Sequence, residues 1–348
     1  MRIAQISPLA ESVPPRFYGG TERIVSHLTE ELVRQGHEVT LFASADSVTS
    51  AELVPCAPEA LRLSDVYDPL PYEVLQLETL RQRAADFDIL HFHLHHLHLP
   101  LARTLAPRAV TTLHGRLDRK EYRPLFAEFS DAPMISISNS QREPVKANWA
   151  ATIHHGLPES LYPFTEESGQ PYLAFLGRIA RDKRPDRAIE IARQAGLPLK
   201  IAAKIRPADQ DYFDTVVRPL LDGSDVEFIG EIGEDEKAAF LGGARALLFP
   251  IDWPEPFGLV MIEAMACGTP VIAWRKGSVP EVVDDGVSGR VVSSLDEAVA
   301  AVRGIGALDR ARVRRQFKAR FTAERMARDH LQLYRSMARP GRDARNAA

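Results

Sequence analysis

Glu255-Pro256-Phe257-Gly258-Leu259-Val260-Met261-Ile262-Glu263, continuing Ala264-Met265-Ala266-Cys267-Gly268-Thr269-Pro270-Val271-Ile272, is the stretch on which the reading of this chain turns. It follows the apolar run ALLFPI at 246–251, a strand that leads into a Pro-rich loop, and it ends on a second short β-branched run at Val271–Ala273. Between the two, Gly258 opens a helix, and Glu263 lies just over one turn inside it. Strand, loop, helix and strand in this order imply a parallel sheet covered by helices. Ligands of such sheets gather at the carboxyl ends of the strands, beside helix N-termini. Free N–H groups and the helix dipole there favour an anion such as a diphosphate. Glu255 and Glu263 can then reach different hydroxyls of one ligand, although each taken singly reads as a capping acid or a surface helix acid.

The same rhythm extends outward. In the first half the strand candidates are Arg2–Ile6, Glu38–Phe42, Asp88–Phe92, Ala109–Leu113 and Met134–Ile137. Thr21–Gln35 carries Ile24, Val25, Leu28 and Leu32 at helical spacing, with Gly36 placed to end the helix. At YPFTEESGQP, residues 162–171, turn formers and charge interrupt the pattern. A second series follows: Leu173–Leu176, Leu199–Ala203, Val226–Ile229, Ala246–Phe249 and Val271–Ala273. The expected division is an N-terminal Rossmann-like domain over 1–162, a linker over 163–171 and a second such domain over 172–325. A terminal helix over 326–348 would turn back toward the first domain.

Composition narrows the function. A chain of 348 residues suits two domains, and 45% hydrophobic residues can fill a core in each. A net charge of −4 argues against a nucleic-acid binder. Cys56 and Cys267 are too sparse for a disulfide framework and fit a reducing compartment. The start MRIAQISPLAESVPP has no long apolar stretch or cleavage site, and no run of about 18 apolar residues occurs. The expected place is cytoplasmic, with contact at the inner face of a membrane not favoured. Leu308–Arg345 is strongly basic, with apolar Phe317, Phe321, Leu331 and Tyr334, and reads chiefly as a solvated helix face rather than a lipid-binding one.

EPFGLVMIEAMACGTPVIA, with its E-x7-E spacing, resembles the donor-binding signature of the retaining glycosyltransferases of family 4, which have the GT-B fold. The resemblance covers nearly the whole chain. Gly19-Gly20-Thr21-Glu22-Arg23 resembles the family's glycine-rich loop after the first strand. Thr112-Leu113-His114-Gly115 resembles the strand end whose histidine faces the donor sugar. Leu176-Gly177-Arg178, with Lys183, resembles the paired cations that hold the donor diphosphate, and Val226–Gly230 with Glu231 and Ile232 resembles the base-binding strand and loop. Arg178 also makes sense without the family, because arginine at a strand end grips two phosphate oxygens and steadies charge on a departing diphosphate.

The resemblance implies a hexosyltransferase with an acceptor-side first domain and a donor-binding second one. His114, Arg178, Lys183 and Glu255 would be catalytic, with Glu255 on hydroxyls of the transferred sugar. Gly19, Gly20, Gly230, Glu231, Ile232, Phe257, Gly258, Leu259 and Glu263 would bind the donor, with Glu263 on its ribose. UDP-glucose is the first donor expected, then GDP-mannose or another UDP-sugar; the acceptor, whether glycan, lipid or small metabolite, stays open. The family's account is a same-face substitution with retention, in which the donor phosphate helps to deprotonate the acceptor, and it implies no metal and no other cofactor. Two positions depart from the family pattern. His154-His155-Gly156 stands where Asn-Gly is common, and Lys183 is followed by Arg184-Pro185 rather than glycine.

The run His91-Phe92-His93-Leu94-His95-His96-Leu97-His98 puts His91 and His93 on one strand face, a workable ligand spacing. No cysteine or close carboxylate completes a metal site there, so contact with an acceptor or packing behind the site is the expectation. Asp86-Phe87-Asp88 precedes a strand and reads as a turn. Rival readings are a nucleotide-sugar epimerase of similar fold and a non-catalytic partner-binding relative. A nicotinamide-dependent oxidoreductase ranks low, because SPLAESVPPRFYGG after the first strand lacks G-x-G-x-x-G.

Overall fold

The computed structural model describes residues 1–16, 19–62, 64–167, 172–223 and 225–338. The chain forms two compact units. Unit 1 comprises Met1–Gly156 with Ala323–Ala348, and unit 2 comprises Leu157–Thr322. The chain therefore passes between units at Gly156–Leu157 and Thr322–Ala323; of the expected linker, residues 163–167 are described and fall in unit 2, while 168–171 lie outside the described residues. Thr165 N–H donates to Cys267 O at 3.0 Å, which fastens this segment to unit 2.

Unit 1 is built on a seven-stranded parallel sheet in the order β3-β2-β1-β4-β5-β6-β7. Its strands are β1 (Arg2–Ile6), β2 (Glu38–Ser44), β3 (Glu52–Ala57), β4 (Ile89–Phe92), β5 (Ala109–Leu113), β6 (Pro133–Ser136) and β7 (Asn148–Thr152). Apolar runs such as RIAQI and ILHF are buried because helices cover a parallel sheet on both faces. Ile6, Phe42, Leu80, Leu90 and Phe92 meet in one core cluster, each side chain contributing about 1.5–3 kcal/mol by leaving water. The helix Gly20–Arg34 buries Ile24, Val25, Leu28 and Leu32, the periodicity read from the sequence. The helix Ala323–Met337 belongs to this unit and buries Met326, His330, Leu331 and Tyr334.

Unit 2 holds a six-stranded parallel sheet in the order β10-β9-β8-β11-β12-β13. The strands are β8 (Leu173–Arg178), β9 (Leu199–Lys204), β10 (Val226–Gly230), β11 (Ala246–Phe249), β12 (Val271–Trp274) and β13 (Gly289–Val292). In both sheets the order reverses at an inner pair, β1 with β4 and β8 with β11. A crevice opens outside the carboxyl ends of the strands at such a switch point. The register of unit 2 makes the crevice explicit. β8 pairs with β9 through six residues, Leu173 to Arg178, but with β11 through Leu173 and Ala174 alone.

The basic stretch after Leu308 is largely consumed by the fold. Arg310 donates to Thr165 O, Ala244 O and Gly242 O, Arg320 pairs with Asp284, and Arg325 reaches His154 O and His155 O. Arg339, Arg342 and Arg345 lie outside the described residues. Among the described residues no helix is long and apolar enough to cross a membrane.

Candidate active site

The crevice between β8 and β11 collects the charged groups of unit 2. Arg178 ends β8, and its side chain is held by Asp209, with Nη1 3.4 Å from Oδ2. Arg206 Nε approaches the same carboxylate oxygen at 2.8 Å, so Asp209 lies between two guanidinium groups and fixes the direction of both. Lys183 lies in the loop that follows β8, and Glu255 in the loop that follows β11. Their side chains form an ion pair, with Lys183 Nζ on Glu255 Oε2. Trp253 Nε1–H donates to that same oxygen at 3.1 Å. The lysine ammonium also stands 4.8 Å from the Trp253 ring centroid, a position attractive to a cation.

The residue after Lys183 explains one departure from the family pattern. Arg184 has φ of 54° and is the N-cap of the helix Pro185–Ala195. Glycine takes this left-handed conformation freely and other residues take it at a cost. Here Arg184 is held by Asp186 at 2.8 Å and by Asp252 at 3.5 Å. The turn that delivers Lys183 is thus kept without glycine.

Glu255 is positioned through its backbone. Ser278 N–H donates to Glu255 O at 2.9 Å, and Ser278 Oγ donates to Phe257 O at 2.8 Å. Gly277 makes this approach possible, since a Cβ there would collide with the backbone of Pro254 and Glu255. Gly258, at φ 81°, then turns the chain into the helix Leu259–Ala266, and as its N-cap it offers no side chain to cap that helix. Met261 N–H donates to Gly258 O at 3.0 Å, while the N–H groups of Leu259 and Val260 before it lack intrahelical acceptors, so the end offers donors to an anion. Phe257 is buried, and Gly258 and Leu259 are half-buried at this end.

Glu263 lies on the same helix and is buried. Lys237 Nζ stands 3.3 Å from its Oε1 and 3.0 Å from Glu234 Oε2, and Tyr162 donates its hydroxyl hydrogen to Glu234. The two glutamates of the motif therefore have separate cations, Lys183 for Glu255 and Lys237 for Glu263. Gly230 ends edge strand β10 at φ 80°, Glu231 is exposed and faces Lys204 at 3.3 Å, and Ile232 is half-buried.

Gly19, Gly20 and His114 belong to unit 1. Gly19 is the N-cap of the helix Gly20–Arg34, and Arg23 N–H donates to its carbonyl at 3.1 Å. His114 follows β5 and is half-buried. Its Nε2 is 2.9 Å from His93 Nδ1, and its ring stacks on His155 at 5.2 Å. Burial, then the neighbouring His95 and His330, push His114 down to about 3. His91 and His93 spend their ring nitrogens on hydrogen bonds to Thr112, Tyr334, Gln5 and His114. Lys237, Trp253, Asp209, Gln5 and Tyr334 escape a reading by sequence. Each is an ordinary surface or core residue until the fold brings it to its partner, and only Trp253, inside the Pro-rich loop, carries a local signal.

Two family models match this chain. Residues 18–155 match Glycosyltransferase Family 4, and residues 162–320 match Glycosyl transferases group 1. The chain belongs to the GT-B glycosyltransferases. The D-inositol 3-phosphate glycosyltransferase of Mycolicibacterium smegmatis is 27% identical, over 80% of this chain and 76% of that protein. The phosphatidyl-myo-inositol mannosyltransferase of Mycobacterium leprae is 26% identical, over 86% of each. Among solved structures, sucrose-phosphate synthase from Thermosynechococcus elongatus superposes with a TM-score of 0.77 at 22% identity, covering 96% of this chain and 98% of that one. Anabaena HepE in complex with UDP and glucose gives 0.71 at 18% identity, covering 97% and 100%. These two likenesses are of fold.

Proposed function

We propose that this glycosyltransferase moves a hexosyl group, with retention of configuration, from a nucleoside-diphosphate sugar to a hydroxyl of its acceptor. The observation that carries the reading is the Lys183–Glu255 pair, set where β8 and β11 part and beside the N-terminus of Leu259–Ala266. A diphosphate needs donors and cations, and a transferred sugar needs a carboxylate to hold its hydroxyls; this crevice supplies both. Arg178 and Lys183 oppose charge growing on the departing diphosphate, a contact that strengthens as the bond breaks. Glu255 orients the sugar, Glu263 takes the ribose, and the acceptor attacks from the face the leaving group vacates. The leaving phosphate accepts the acceptor proton, so no metal enters the scheme. UDP-glucose is the first donor to test, supported by the UDP and glucose bound to HepE, and GDP-mannose the second. The names of the two mycobacterial relatives favour an acceptor bearing an inositol ring.

Thermal unfolding with UDP-glucose, GDP-mannose and ADP-glucose identifies the donor, because a ligand of the folded state raises apparent stability by RT ln(1 + [L]/Kd). Transfer to inositol phosphates is then followed by NMR, the anomeric coupling of the product reporting retention. An inverted product refutes the same-face route. Loss of turnover in EDTA with recovery on adding a divalent ion refutes the metal-free one. Conversion of the donor sugar without an acceptor would make the protein an epimerase.

A further inference from the structure

Buried in unit 1, behind the carboxyl ends of β1, β4 and β5, runs a chain of polar side chains whose donors and acceptors can be assigned one by one. Gln5 Nε2 donates to the Tyr334 hydroxyl at 3.4 Å. That hydroxyl lies 2.6 Å from His91 Nδ1, and His91 Nε2 lies 2.7 Å from Thr112 Oγ1. With its nitrogen turned to Tyr334, Gln5 turns its carbonyl oxygen to His93 Nε2 at 2.6 Å. An amide oxygen only accepts, so His93 carries its hydrogen on Nε2. His93 is neutral, burial and the surrounding histidines holding its pKa well below the usual value, so its Nδ1 is a bare lone pair. The partner of that lone pair is His114 Nε2 at 2.9 Å, which must donate.

His114 is then left with a lone pair on Nδ1. This atom is buried and has no hydrogen-bond partner among the described residues. His114 lines a pocket of unit 1 together with Pro8, Thr21, His93, His95 and Tyr122. The reverse order of donors would leave an N–H on Nδ1, a buried donor without an acceptor, which is the costlier orphan.

We propose that Gln5 and His93 are positioning residues that lock His114 in its Nε2–H tautomer, so that Nδ1 faces the pocket as a neutral acceptor for a substrate hydroxyl. The relay itself stands on unit 1 alone. Only the assignment of that hydroxyl to a bound sugar or polyol rests on the proposed transfer reaction.

Nitrogen-15 NMR of the full chain labelled at histidine reads the tautomer without any substrate, with His114→Gln identifying the signal. The expected result is a pyridine-type Nδ1 and a pyrrole-type Nε2 on His114. A pyrrole-type Nδ1 overturns the proposal. Gln5→Met and His93→Leu remove successive acceptors and should each mix the two tautomers. His93→Gln, whose amide oxygen can accept from His114 Nε2–H, should restore the single form. An unmixed His114 in both Gln5→Met and His93→Leu overturns the relay. In turnover, the mixed variants should raise a substrate KM roughly three- to tenfold, the worth of one hydrogen bond, and His93→Gln should recover most of it. The stated tautomer in a protein that transfers no sugar supports the relay and faults the reaction instead.

Discussion

The Lys183 ammonium and the Glu255 carboxylate form an ion pair across two loops that leave strands on either side of the unit 2 switch point. Side-chain exposures of 15% and 11% put both charges mostly out of water. Attraction between them is thus offset by desolvation, and removing one partner leaves the other poorly compensated. The pair holds carboxylate and ammonium in fixed positions beyond the ends of β8 and β11.

That arrangement makes stability and catalysis separable. Lys183→Met should lower the unfolding temperature, because among the described residues Glu255 keeps only Trp253 as a side-chain partner. Glu255→Gln should do so less, and the double variant should recover part of the loss. A thermal double-mutant cycle measures this coupling, and additive effects would mean that the pair contributes nothing.

Glu255→Gln should chiefly lower kcat and Glu263→Gln chiefly raise donor KM. A contact on the ring whose bond breaks can differ between ground and transition states, whereas a ribose contact contributes alike to both. A hydrogen bond to a charged group is worth about 1.5–3 kcal/mol, hence roughly 10- to 150-fold in either constant. Lys237→Met should follow Glu263→Gln, since Lys237 holds that carboxylate at 3.3 Å. Steady-state kinetics with the identified donor decide, and exchanged effects would exchange the roles.

Arg178→Ala should weaken binding of the nucleoside diphosphate and slow transfer while leaving the fold intact. Arg178→Lys should recover only part, because a lysine cannot grip two oxygens at once. Wild-type kinetics in a folded Arg178→Ala would remove this residue from the site.

The strands legible in the sequence are mostly central ones. β1, β5 and β11 match their apolar runs residue for residue, because burial on both faces demands such runs. The unread strands β3, β7 and β13 are all sheet edges, as ELVPCA, NWAAT and GRVV. An edge strand faces water on one side and tolerates Pro55, Asn148 or Arg290. The E-x7-E motif was legible as a unit because Glu255, Gly258 and Glu263 are close in sequence. Of their cations, Lys183 was legible and Lys237 was not. Lys237 comes from 26 residues upstream of Glu263, and Gln5 meets His93 across 88 residues, so only the sheet order joins them.

All eleven histidines lie in unit 1 and none in unit 2, which predicts where acid acts first. Burial is the leading cause that lowers His91, His93, His98, His114, His155 and His330, with His98 and His114 at about 3 and His330 at about 4. A histidine held neutral by the fold is protonated more readily once unfolded. Its contribution is therefore complete above the unfolded value of about 6.5 and is lost as pH falls below it. Each such group removes about 1.4 kcal/mol per pH unit until its folded value is reached. Glu22 opposes them, because burial raises it to about 7. It contributes most below its ordinary 4.5 and loses that contribution as pH rises toward 7. One glutamate at the same slope cannot offset six histidines. Hydrogen exchange at pH 7.5, 6 and 5, corrected for intrinsic rates, should show peptides of Met1–Gly156 losing protection while those of Leu157–Thr322 keep theirs. Equal loss in both units, or earlier loss in unit 2, would show that the buried histidines do not set the acid limit.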